Sequence, residues 1–130
     1  MSIIKNYIMV DDDAFSNVLS DIVLKNTLGE VKTDAFTIPE EALSFMQNLE
    51  INNLKPTILL LDINMPTLSG WEFMEEFRTF REEIQKLITV YILSSSVDER
   101  DIDKAKSNNL IKDIISKPLE PETILAIAGS

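Results

Sequence analysis

The sequence predicts an α/β protein built on an open, doubly wound parallel sheet, and three observations carry that expectation. Apolar, strand-like runs alternate with helical stretches in five strand-plus-helix units. One run, TILLLD, is apolar without any polar alternation, the pattern of a strand covered on both faces. Repeated strand-helix-strand connections force right-handed crossovers, and five units are too few to close an eight-stranded barrel.

Each element has its own signal. Residues 3 to 10, IIKNYIMV, form the first expected strand, which breaks off into Asp11, Asp12 and Asp13. Phe15, Val18, Leu19, Ile22 and Val23 then follow the three-then-four spacing of an amphipathic helix, closed by Gly29. EVKTDAF supplies a short β-prone stretch. In IPEEALSFMQNL, an early Pro, acids in the first turn, and Ala42, Phe45, Met46 and Leu49 on one side predict the second helix. After the turn-like INNLKP comes TILLLD, whose last residue is Asp62. MPTLSG turns the chain, and WEFMEEFRTFREEI predicts a single third helix with Phe73, Phe77, Phe80 and Ile84 along one side. LITVYIL is the fourth strand, ending in Ser94, Ser95 and Ser96. DERDIDKAKSN reads as a polar fourth helix, LIKDIIS as a fifth strand stopped by Lys117-Pro118, and EPETILAIA as a short closing helix.

Composition removes several classes of function. A chain of 130 residues, 45% hydrophobic and 26% charged, is expected to fold as one domain over residues 1 to 130. The formal net charge of −10 has the wrong sign for direct nucleic-acid binding. With no Cys there is no disulfide or thiolate chemistry, and with no His there is no Ser-His triad or imidazole metal ligand. No signal peptide or membrane span is indicated, so a cytoplasmic location is expected by default.

In a parallel sheet every strand delivers its last residue to the same edge, where such folds bind ligands. Asp11 and Asp12, Asp62, Ser94 and Lys117 should therefore converge, although they span more than 100 residues of sequence. Two carboxylates about 4 Å apart repel by roughly 4 kcal/mol at an effective dielectric of 20, and a divalent cation relieves this. With only oxygen ligands on offer, Mg²⁺ is the natural cation, and it keeps positions for waters and phosphate oxygens. Lys117 and Ser94 would meet the phosphate oxygens, and a carboxylate can itself become an acyl phosphate.

The ordered set VDDD, LLLDINMP, ILSSS and ISKP, each at a strand end and together spanning nearly all of the chain, resembles the receiver domain of two-component response regulators. Each motif alone is weak; four in order are specific. The resemblance implies a flavodoxin-like (βα)5 fold with strand order 2-1-3-4-5. It implies Asp62 as the phosphoacceptor, and Asp11 and Asp12 as the acidic pair, with Asp12 a direct Mg²⁺ ligand. Asn64 would lend its backbone carbonyl to the metal. Ser94 resembles the switch hydroxyl and Lys117 the phosphate-contacting lysine, followed by Pro118 at a bond the family usually holds in cis. The implied donor is a sensor histidine kinase or phosphotransfer protein. The implied output is a protein target bound by the face of the fourth helix, fifth strand and fifth helix, with no membrane or direct nucleic-acid contact. The chain would catalyse its own phosphotransfer and autodephosphorylation without being a turnover enzyme.

Blander roles suit the neighbouring residues. Asp13 reads as a helix cap, Met65 and Pro66 as turn and packing residues, and Gly70 as a backbone requirement. Ser95 and Ser96 read as solvated loop residues, with Ser96 a tuner of phosphoryl lifetime by resemblance. Trp71 is a candidate fluorescence reporter, and the Phe73 to Phe80 stripe is core. One departure affects the switch: where the family often has Tyr or Phe, three residues before the lysine, this chain has Ile114. That leaves open a receiver fold used as a phosphorylation-independent binding module. An aspartyl phosphatase of the haloacid dehalogenase kind needs a second Asp where this chain has Asn64, and an EF-hand needs a Gly that the DDD run lacks.

Overall fold

TILLLD is the centre of the molecule. All six of its residues are buried in the strand β3 (Thr57–Asp62), because the sheet is covered on both faces. The computed structural model describes residues 5–50, 52 and 55–129. Ile3, Ile4 and most of the INNL turn lie outside the described residues.

In chain order the elements are β1 (Asn6–Val10), α1 (Ala14–Leu28), β2 (Thr33–Phe36), α2 (Pro39–Gln47), β3, α3 (Gly70–Phe77), α4 (Glu82–Leu87), β4 (Ile88–Ser94), α5 (Glu99–Ser107), β5 (Ile111–Ser116) and α6 (Pro121–Ala128). The strands pair in parallel in the order β2-β1-β3-β4-β5, as expected. The two-residue period of the strands sends alternate side chains to two cores. Ile8, Leu59, Leu61, Val90 and Ile92 meet Ala42, Met46, Phe73, Phe77 and Ile84 from α2, α3 and α4. Tyr7, Met9, Ile58, Leu60, Tyr91 and Leu93 meet Leu24 of α1 and Ile124 and Ile127 of α6. Among the described residues, no helix is long and apolar enough to cross a membrane.

Two elements depart from the sequence reading. The single helix expected over WEFMEEFRTFREEI is two helices. Thr79 donates its hydroxyl to the Glu76 carbonyl, and the backbone tightens to three-residue bonds at Thr79 and Phe80. Gln85 then donates its side-chain amide to the freed carbonyls of Arg78 and Phe80. Phe73, Phe77, Phe80 and Ile84 are all buried nonetheless, so the broken path keeps the stripe on the core.

The second departure is α1, whose apolar stripe faces solvent. Phe15, Val18, Leu19 and Ile22 are 66%, 53%, 45% and 48% exposed, while Asn17, Ser20 and Leu24 are buried. At 100° per residue the two sets lie about 180° apart on the helix. The buried face is fixed by polar bonds: Asn17 donates its side-chain amide to the carbonyls of Asp11 and Phe36. Val23 alone of the stripe packs partly against the core.

Candidate functional site

The C-terminal edge of the sheet gathers the predicted residues. β1 ends at Val10, and the Asp11 backbone N–H continues the ladder by donating to the Phe36 carbonyl at 3.0 Å. The buried Asp11 carboxylate accepts from the Asp13 N–H at 3.0 Å and from the Lys117 ammonium at 2.6 Å. Asp12 beside it is exposed. Asp13 caps α1 by accepting from the Phe15 N–H, as its position predicted.

Asp62 closes β3 and is buried. The Lys117 ammonium lies 3.5 Å from its carboxylate, an ion-pair contact at the outer limit of a hydrogen bond. The Asn64 backbone N–H also donates to Asp62. Burial pushes the Asp62 carboxyl up to about 6, and the Asp11 charge adds to the rise; Lys117 and the Asn64 N–H restrain it. For Lys117 burial disfavours the charged form, but Asp11 and Asp62 overcome it and the net shift is upward.

Gly70 shows why the turn after Asp62 needs glycine. A side-chain carbon there would sit 2.8 Å from the Asp62 carbonyl oxygen and 2.9 Å from Ile63 Cα, while the Gly70 N–H donates to the Ile63 carbonyl. Ser69 and Glu72 form a reciprocal capping box that starts α3 directly behind this turn. Met65 folds back into the core, and Trp71 receives Lys104 of α5 over its ring at 5.4 Å.

Ser94 ends β4 and is fully buried. Its hydroxyl oxygen accepts from the Ser96 N–H at 3.2 Å, and its carbonyl accepts from the Lys117 N–H at 2.8 Å. Lys117 is one residue past β5, and the Lys117-Pro118 bond is cis. Ser95 and Ser96 are exposed. Ile114 is partly buried against the larger core.

The acidic group is compact: one carboxylate oxygen from each of Asp11, Asp12 and Asp62 lies within 4.8 Å of the others. This donor set fits Mg²⁺. It is all oxygen, it faces partly to solvent through Asp12, and the chain has no His or Cys to draw a softer ion. The reading from sequence missed Asn17, because hydrophobic spacing carries no signal for a buried amide.

Comparison with protein families matches residues 7–128 to the response regulator receiver domain. The chain belongs to that family. In structure it is similar to a response regulator receiver protein from Dyadobacter fermentans DSM 18053, with a TM-score of 0.87, 27% identity, and coverage of 95% of this chain and 94% of the other. It is equally similar to a two component response regulator from Cytophaga hutchinsonii, with a TM-score of 0.87, 28% identity, and coverage of 95% and 93%. A two-component response regulator from Legionella pneumophila, at 22% identity, a TM-score of 0.76 and coverage of 94% and 93%, shares the fold. Comparison with curated proteins gives no match. The flavodoxin-like receiver fold anticipated from the four motifs is the fold of this chain. Receiver domains of response regulators bind Mg²⁺ at an acidic pocket and interact with histidine kinases or phosphotransfer proteins.

Proposed function

We propose that this receiver domain is a phosphorylation-controlled signalling module in which Asp62 accepts a phosphoryl group from a phosphohistidine, with Mg²⁺ as the required cation. The observation that supports it most is the convergence of Asp11, Asp12, Asp62 and Lys117 on one sheet edge. With its carboxyl at about 6, Asp62 is largely ionised at neutral pH and available as a nucleophile. Its oxygen attacks phosphorus, the donor's P–N bond breaks with the electron pair returning to the imidazole, and an acyl phosphate remains on Asp62. Asp11, Asp12, Asp62 and the Asn64 carbonyl would hold Mg²⁺, which supplies positive charge to the phosphoryl oxygens. Lys117 offers them a second positive charge, and Ser94 a hydroxyl donor.

Asn64 at the place of an acid/base leaves Asp62 an acceptor without a partner for fast turnover, so the chain is a substrate of phosphotransfer and not a phosphatase. The added charge of about −1.5 to −2 draws the Ser94 hydroxyl inward, and the Ser96 N–H that it accepts moves the loop before α5. α5 buries only Ala105, so it is cheap to shift, and the α5, β5 and α6 face is the proposed contact for a downstream protein. Ile114 takes no swinging part, which leaves the loop backbone as the moving element. The proposed setting is cytoplasmic.

The exposed stripe of α1 fits this reading. Phe15 stands two residues past Asp13, at the rim of the acidic edge, and a helical donor that brings its phosphohistidine to Asp62 must lie across it. The test is intact mass after incubation with phosphoramidate and Mg²⁺. One phosphoryl group is expected on the wild-type chain and none on Asp62→Asn; an unmodified wild type overturns the proposal.

A further inference from the structure

The buried face of α1 holds a group that the acceptor chemistry leaves unused. Asn17 is 6% exposed, in a helix position where Leu or Ala would be the ordinary choice. A buried carboxamide is disfavoured unless its donors are satisfied, and here the amide nitrogen reaches two carbonyls, Asp11 at 3.2 Å and Phe36 at 3.0 Å. Both lie where the β1–β2 ladder ends: Val10 pairs with Phe36, and the Asp11 N–H donates to that same Phe36 carbonyl. Asn17 thus extends the sheet by one more rung, supplied from the helix.

That rung bears directly on the acidic pair. Asp11 is held at its N–H by Phe36, at its carbonyl by Asn17, and at its carboxylate by the Asp13 N–H and Lys117. Among the described residues, the Asp12 carboxylate shows no bond of its own, so its direction follows from the backbone on either side. The Asp11 carbonyl is part of the Asp11–Asp12 peptide unit. Rotation of that unit would swing the Asp12 carboxylate away from Asp11 and Asp62, with which it shares a 4.8 Å sphere.

We propose that Asn17 is a positioning residue for the divalent-cation site: it locks the Asp11–Asp12 peptide so that the Asp12 carboxylate faces Asp62. This rests on the reading of the acidic edge as a Mg²⁺ site. It also accounts for the inverted burial of α1, because a helix anchored through Asn17 must turn its apolar stripe outward.

The test uses Mn²⁺ as a paramagnetic probe, titrated into the full chain and read by electron paramagnetic resonance, with Mg²⁺ competition. Asn17→Leu keeps the side-chain size and removes both donors. Its Mn²⁺ affinity is expected to fall about 10- to 100-fold, the usual loss for a group that orients a ligand. Ser20→Ala, on the same buried face one turn further from the acids, controls for disturbed packing of α1, and its affinity should equal that of wild type. Asn17→Ala, which removes both donors without adding bulk or charge, is the second variant, with an affinity loss at least as large. Circular dichroism confirms that each variant is folded. Wild-type affinity in a folded Asn17→Leu or Asn17→Ala overturns the inference, as does an equal loss in Ser20→Ala. A wild-type chain that binds no Mn²⁺ overturns the underlying metal-site reading instead, so the two failures are distinct.

Discussion

Helices α1 and α3 both start from the acidic edge of the sheet, α1 after Asp11–Asp13 and α3 after the turn that follows Asp62; both carry apolar residues at helical spacing, and they use them in opposite ways. In α3, Phe73 and Phe77 are completely buried, and the helix is the main apolar support behind the turn that follows Asp62. In α1, the corresponding stripe of Phe15, Val18, Leu19 and Ile22 is turned to solvent, and the helix is fastened by Asn17, Ser20 and Leu24. Spacing identifies a helix and its apolar side; it does not say whether that side meets the core or a partner. Where the helix start lies beside chemistry, polar bonds from the site decide.

The comparison predicts a graded set of effects on stability. Phe77→Ala in α3 should cost about 3–5 kcal/mol in urea unfolding, the usual range for emptying a buried aromatic site. A loss below about 1 kcal/mol would mean that α3 is not the support described.

The acidic edge sits between the two helices and should oppose stability. Asp62 is raised from an ordinary 3.8 to about 6, so the folded chain binds this proton more tightly than the unfolded chain does. That contribution is fully present below about pH 4 and is lost as pH rises through about 6. Without Mg²⁺, wild type should therefore lose on the order of 3 kcal/mol from this group between pH 4 and 7, and Asp62→Asn should not. Saturating Mg²⁺ should restore wild type at pH 7 by mass action. Parallel pH profiles for the two proteins would remove the electrostatic part of the account.

Smaller effects follow on α1. Asp13→Ala removes the cap and should cost about 1 kcal/mol without changing the acidic group. Phe15→Ala and Leu19→Ala should change stability by no more than about 0.5 kcal/mol, since both side chains are exposed. The same two variants should slow phosphotransfer from a protein donor about tenfold or more while leaving transfer from phosphoramidate unchanged. Equal slowing with both donors would assign the stripe to the fold and end the contrast with α3.

Much of the site could be read from the sequence because of one geometric fact: parallel strands all end at one edge. Asp62, Ser94 and Lys117 could be brought together from their places at the ends of TILLLD, LITVYIL and LIKDIIS, with no knowledge of the packing. Gly70 was legible as a backbone requirement, though not as the close approach to the Asp62 carbonyl that explains it. The break between α3 and α4 was hidden because Phe73, Phe77, Phe80 and Ile84 keep helical spacing across it, and the bonds from Thr79 and Gln85 that make it are local polar choices. The orientation of α1 and the role of Asn17 were hidden for the same reason. A side-chain amide that closes a sheet ladder depends on where β2 ends, 19 residues away.

On the proposed reading, the fold makes Asp62, among 22 acidic residues, the one that takes phosphate. The most direct measurement is to phosphorylate the chain with phosphoramidate and Mg²⁺, reduce the acyl phosphate with borohydride, and locate the reduced residue by peptide mass spectrometry. A single reduced position at Asp62, and none when Mg²⁺ is chelated, is the expected result. Reduction at Asp11, at Asp12 or at scattered surface carboxylates would contradict it.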